Sequence, residues 1–191
     1  MKLKSLLLAS ACLASTSALA DWQLNNELSR VSFVTVKKEN VGEPNHFERV
    51  SGTLSDAGRF ELTIDLASVE SGIPIRNERL EEYLFETGRF PKLTLSADLS
   101  GQLEALTQGE DRVIETDATL NLHGTEKTLP IAVLVSHKGN GDLVVSSWKP
   151  VIVQQDDFGF TAGIDKLQEL AGLPSITRTV PVNFVLSLEK Q

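Results

Sequence analysis

The chain reads as a mainly β protein whose strands have one wet and one dry face, and three stretches carry that reading. Phe60, Leu62, Ile64 and Leu66 share one phase while Glu61, Thr63 and Asp65 share the other. Leu93, Leu95, Ala97 and Leu99 oppose Thr94, Ser96 and Asp98, and Val180, Val182, Phe184, Leu186 and Leu188 oppose Asn183, Ser187 and Glu189. Successive side chains of a strand point to opposite faces, so period two marks a half-buried strand.

Taken in order, the first element is a leader. Lys2 and Lys4 precede an apolar run from Leu6 to Leu13, and Ala18-Leu19-Ala20 follows as a small-residue cleavage site before Asp21. That order describes a secretory signal peptide over residues 1–20, with the mature domain at 21–191 in the periplasm. Lipidation at Cys12 is the poorer fit, because Cys12 comes very early and the third residue before it is Ala9, not leucine. Cys12 is the only cysteine, so a mature chain starting at Asp21 has no disulfide to brace it. The apolar run is too short to span a bilayer, and no later segment has the length of a membrane helix.

Losing Lys2 and Lys4 takes the formal charge from −8 to about −10. A repulsive field of that sign argues against nucleic acid as a partner, since binding a phosphate backbone needs a basic face. The acids are scattered, which favours solubility over cation binding. One domain is the natural count for this length without a low-complexity linker.

The mature part continues with strands at Val31–Lys37 and Phe47–Leu54, a turn at Ser55-Asp56-Ala57-Gly58, and the strand around Phe60–Leu66. Asn77 to Phe85 then places Leu80, Tyr83 and Leu84 at helical spacing among Glu78, Glu81 and Glu82. After Leu93–Leu99 come Arg112–Leu122, Thr128–Ser136 and Leu143–Gln154; the last two face each other across Gly139-Asn140-Gly141-Asp142 as a hairpin. Ile164 to Ala171 is a second short amphipathic helix, closed by Gly172-Leu173-Pro174, before the final strand. Helices this short are stabilised by packing, so both are expected as lids or plugs on a sheet. About eight strands with mostly short connections favour an antiparallel meander. Its apolar face can be hidden in a sandwich or by curling into a barrel, and periodicity does not choose between them.

Several residues together resemble a known family. They are Trp22 with Leu24, Ser29-x-Val31-x-Phe33, Gly52-Thr53-Leu54, Ser68-Val69, Phe90-Pro91-x-Leu93-x-Leu95-Ser96, Leu120-x-Leu122-His123-Gly124, Asp157-Phe158-Gly159 and Val180-x-Val182. In order and spacing they resemble the YceI-like, polyisoprenoid-binding periplasmic proteins over nearly the whole mature chain. The resemblance implies an extended lipocalin-like barrel of eight antiparallel up-and-down strands with short helices near its mouth. It implies an apolar small molecule, an isoprenoid, quinone or lipid, as the partner in a tunnel, and it alone suggests a homodimer.

Phe33, Phe60, Phe85, Phe90, Trp148, Phe158 and Phe184, with Leu80 and Leu84, are the candidates for tunnel lining; the competing reading of aromatics at strand period is plain core. Both phases of the strand around Trp148 are apolar. Arg76 and Arg79 lie three apart, on one face if helical, where they could meet a head group; the alternative is pairing with Glu78, Glu81 and Glu82 in solvent. Asn77 and Arg79 stand where the family often has aspartate and histidine.

Nothing in the sequence points to catalysis. His46, His123 and His137 are isolated, without metal-ligand spacing, and are expected on the surface or in turns. There is no G-x-S-x-G elbow, phosphate loop or dinucleotide fingerprint. Asp156 and Asp157 are neighbours and would point to opposite sides of a strand, so a turn before Phe158-Gly159 is preferred over an acid pair. No cofactor and no metal are expected.

Overall fold

The alternating segments close into an antiparallel barrel in the computed structural model, which describes residues 21–103 and 106–191. The expected leader and Cys12 lie outside the described residues. The strands are β1 (Trp22–Lys37), β2 (Val41–Phe47), β3 (Val50–Leu54), β4 (Arg59–Asp65), β5 (Val69–Glu70), β6 (Lys92–Asp98), β7 (Asp111–Leu122), β8 (Thr125–His137), β9 (Leu143–Ser147), β10 (Val151–Gln154) and β11 (Thr179–Lys190).

Two pairs of these segments act as single staves. β2 and β3 both pair with β1, and β9 and β10 both pair with β11. The wall therefore runs β1, β2/β3, β4, β6, β7, β8, β9/β10, β11, and pairing of β11 with β1 closes it. Eight antiparallel staves in sequence order make an up-and-down barrel. Closure hides the dry face and leaves no long edge on a chain without a disulfide.

The sequence places single strands at Phe47–Leu54 and Leu143–Gln154, whereas each is broken. The first break, at Glu48-Arg49, faces an irregularity in β1 between Asn25 and Arg30, where the register shifts. Polar side chains make up for the lost ladder there: Asn26 accepts from the Val50 amide at 2.7 Å and donates to the Glu48 carbonyl at 3.0 Å. Ser68 takes the Arg49 amide at 3.0 Å and donates to the Asp65 carbonyl at 2.6 Å. The second break, Trp148-Lys149-Pro150, contains a proline that has no amide to give a ladder.

The two ends of the barrel differ. At one end Leu54, Leu143 and Leu188 are almost fully buried, and the Trp22 indole donates to the Gly141 carbonyl at 2.9 Å with the Lys190 ammonium over its ring. At the other end the long excursions between β4 and β6 and between β10 and β11 supply the helices. Helix α1 (Pro74–Arg79), with proline in its first turn, runs into a π-helical turn at Leu80–Leu84, and α2 (Thr161–Ala171) ends on Gly172 in the left-handed conformation. Helix α2 lies on the π turn so closely that a Cβ on Gly163 would sit 2.3 Å from the Tyr83 carbonyl oxygen. Among the described residues no helix is long and apolar enough to cross a membrane.

Candidate functional site

The inward phase of every stave meets along a cavity of ≈ 160 Å³. The sequence phases predict its walls: Phe60, Leu62, Ile64 and Leu66, then Leu93, Leu95, Ala97 and Leu99, then Val180, Val182, Phe184, Leu186 and Leu188 all line it. It runs from Gln155 and Val180 at the helical end to Leu54 and Leu188 at the opposite end, so its volume is spread along a narrow bore. An apolar cavity of about this size lacks the polar partners that ordered water needs and stays dry. Among the described residues only Thr35, Thr116 and Gln155 contribute polar side chains to the lining, and no titratable group does.

Of the residues singled out from the sequence, Phe33, Phe60, Leu84, Phe85 and Phe184 line this bore. The widened turn at Leu80–Leu84 lets the consecutive side chains Leu84 and Phe85 both turn inward. The other four lie elsewhere. Leu80 and Phe158 are buried in the surrounding core without facing the bore. Phe90 is half-buried outside it, packed on the His123 ring at 4.3 Å between centroids with the Arg89 guanidinium over its face. Trp148 is 59% exposed: inward positions of its stave are Leu143, Val145, Val151 and Val153, and Trp148 falls on the outward phase at the Pro150 break.

Arg76 and Arg79 sit at the helical end but pair differently from either expectation. Arg76 reaches back to Glu43 of β2 at 2.7 Å, and the same carboxylate also takes Lys37. Arg79 approaches the Leu170 carbonyl at 3.5 Å and so ties α1 to α2. Neither pairs with Glu78, Glu81 or Glu82.

His123 is the first residue of a two-residue turn joining β7 to β8; its φ of 53° followed by 74° at Gly124 is the pair of positive values that a tight hairpin turn requires. Its side chain, however, is not on the surface. One ring nitrogen meets Glu86 at 2.7 Å and the other the Phe158 carbonyl at 3.1 Å, while Phe90 and Phe160 pack on its faces. The hydrogen bond with His123 is the main cause holding the Glu86 carboxyl below its ordinary range, with Arg89 adding to it. These contacts pin the helical end to the β7–β8 turn. Asp156 and Asp157 diverge in a 3-10 turn at Gln155–Phe158, Asp156 toward Arg178 and Thr161 and Asp157 toward Lys127. Among the described residues no three metal-ligating side chains converge.

Gln155, Thr35 and Phe160 are lining residues that the sequence reading passes over. A signal was present: Gln155 continues the inward phase of Val151 and Val153, and Thr35 that of Val31 and Phe33. Each is a polar residue on a dry face.

Known proteins share this architecture. A family model of the YceI-like domain matches residues 22–188. The structure of a polyisoprenoid-binding domain from Saccharophagus degradans, implicated in plant cell wall breakdown, aligns with a TM-score of 0.87 at 35% identity, over 91% of this chain and 100% of that one. BcnA of Burkholderia cenocepacia aligns at 0.67 with 19% identity, covering 86% of this chain and 98% of its own, and a Campylobacter jejuni YCEI protein at 0.55 with 16% identity, covering 77% and 85%. These last two speak for the fold alone. No curated protein matches the sequence. With the barrel, the phases of its staves and a family match from Trp22 to Leu188 all in agreement, the chain belongs to the YceI-like domain family.

Proposed function

We propose that this protein is exported to the periplasm and there binds and carries a long apolar molecule, a polyisoprenoid, isoprenoid quinone or fatty-acyl lipid, in its barrel without reacting on it. The observation that carries the reading is the dry, narrow, almost wholly apolar bore. The polyisoprenoid-binding domain from Saccharophagus degradans, 35% identical over its whole length, supports an isoprenoid-like guest. A bore of ≈ 160 Å³ suits a slender chain better than fused rings, and a longer guest requires the Leu and Val rotamers of the wall to give way. The lack of any titratable group on the described lining fits carriage and not chemistry.

Hydrocarbon burial sets the test. Each methylene moved from water into the bore contributes about 0.8 kcal/mol, or about fourfold in affinity. Titration with prenyl alcohols of increasing length should show affinity climbing at about this rate until the bore is filled, then levelling. Affinity independent of chain length, or no binding, contradicts the reading.

A second reading, docking on another exported protein, draws on the outer wall. Val113, Leu134, Ser146 and Val185 form one row across β7, β8, β9 and β11, with exposed Trp148 and Ile152 nearby. Such a module needs no cavity, so the bore favours the first reading. Crosslinking in intact cells separates the two: a partner seated on Trp148, with nothing extracted from the interior, supports the second.

A further inference from the structure

We propose that the cargo enters tail first and leaves its polar end under the helices between Gln155 and Thr35, and that this end is an uncharged hydrogen-bond donor, a primary alcohol being the simplest case. The inference rests on the apolar-cargo reading and deepens it. Gln155 is only 6% exposed, lines the bore, and its Oε1 has no hydrogen-bond partner. Its main chain is fully engaged, the amide donating to the Arg178 carbonyl and its own carbonyl accepting from Phe160, so the side-chain amide alone is left over. Buried amides without partners are rare and destabilising, which makes a polar guest atom the natural complement.

Thr35 stands on β1 and Gln155 directly beyond β10, the two staves that flank β11 at this end. The Thr35 hydroxyl accepts from the Asn45 amide at 3.3 Å, which leaves its own hydrogen free to donate. Asn45, 2% exposed, has its orientation fixed by donation to the Glu43 carbonyl at 3.0 Å, and its Oδ1 is likewise without a donor. The end of the bore thus offers one unsatisfied acceptor, Gln155 Oε1, beside the hydroxyl of Thr35. The third polar lining residue, Thr116, contacts the Asp98 and Asp117 carbonyls and makes no comparable offer.

Charge argues against an anionic head. Lys37 and Arg76 already share the Glu43 carboxylate, and Arg178, whose carbonyl takes the Gln155 amide, is paired with Asp156 and Asp165. A phosphate or carboxylate would offer no hydrogen to the unpaired Gln155 Oε1 and would lose its hydration there.

Geranylgeraniol, its methyl ether and its monophosphate separate these possibilities, because they share one tail and differ only at the head. Affinity is measured by displacement of an apolar fluorescent dye from the folded protein and from the variant Gln155→Leu. The alcohol is expected to bind about tenfold tighter than the ether, which accepts but cannot donate, and tighter than the phosphate. In Gln155→Leu the gap between alcohol and ether should close while the ether binds at least as well as before. Replacing an unsatisfied buried amide with leucine leaves the barrel folded, as its thermal midpoint will report. Equal binding of alcohol and ether, a preference for the phosphate, or an alcohol advantage that survives in Gln155→Leu overturns the inference. If none of the three binds, the apolar-cargo reading itself fails.

Discussion

The imidazole of His123 is held from four directions, by Glu86, the Phe158 carbonyl and the rings of Phe90 and Phe160. Its turn position is legible from the His-Gly step, but partners 35 and 37 residues away are not, because local sequence does not say what a turn will pack against. The same holds for Arg76, whose partner Glu43 lies 33 residues back on another stave. Glu86 belongs to a set of carboxylates kept below their ordinary values. The others are Asp98, held by the Ser100 amide and hydroxyl; Asp142, by the Lys190 amide and Asn140; and Asp156, by Thr161 and Arg178. A depressed carboxyl favours the folded state above its unfolded value, and that stabilisation is lost as pH falls through the folded value. The urea midpoint should therefore be level above about pH 5 and decline progressively below about pH 4. Glu86→Gln cannot be protonated at this position, so its decline should be shallower; an unchanged acid profile would mean that the His123 contact contributes nothing.

Among elements, the staves were the most legible part of the sequence because burial on one face alone enforces period two. Phe60 to Leu66 and Val180 to Leu188 point inward at every second residue, as their phases predict. Interruptions were the least legible. Over Val144 to Val153 both phases are apolar, so the alternation carries no phase and assigns Trp148 no side; the outward position follows from the pairing of β9 with β8 and β11 and the break at Pro150. The helices were visible as short amphipathic patterns, yet their mutual contact was not. That contact depends on Gly163, where even one methyl group would collide with the Tyr83 carbonyl and crowd the Leu84 backbone. Gly163→Val should lift α2 from the π turn while leaving the barrel closed. A preloaded prenyl alcohol should then dissociate at least about tenfold faster, with faster amide exchange in α2. Release at the wild-type rate would show that the helical end does not gate the bore.

Across the whole molecule, the antiparallel wall, its β11–β1 closure and the apolar interior are one solution to one problem, hiding a dry sheet face without disulfides. The resemblance chose barrel over sandwich where periodicity could not. Neither reveals that two of the three polar lining residues, Gln155 and Thr35, gather at the helical end, because a lone Gln or Thr on a dry phase looks like the fraying end of a strand. If the bore is the binding site, filling it must remove the guest. Ala97 and Val133 both face it, and phenylalanine at each should occupy the space that a chain would take. Overpacking a solid core costs about 1–3 kcal/mol, whereas here the cavity receives the added rings and folding should survive. The decisive measurement is native mass spectrometry of the protein isolated gently from cells, wild type beside Ala97→Phe/Val133→Phe. One apolar molecule per wild-type chain and none on the folded variant is the predicted result. Equal occupancy of both proteins, or a wild-type chain that carries nothing, would contradict the account.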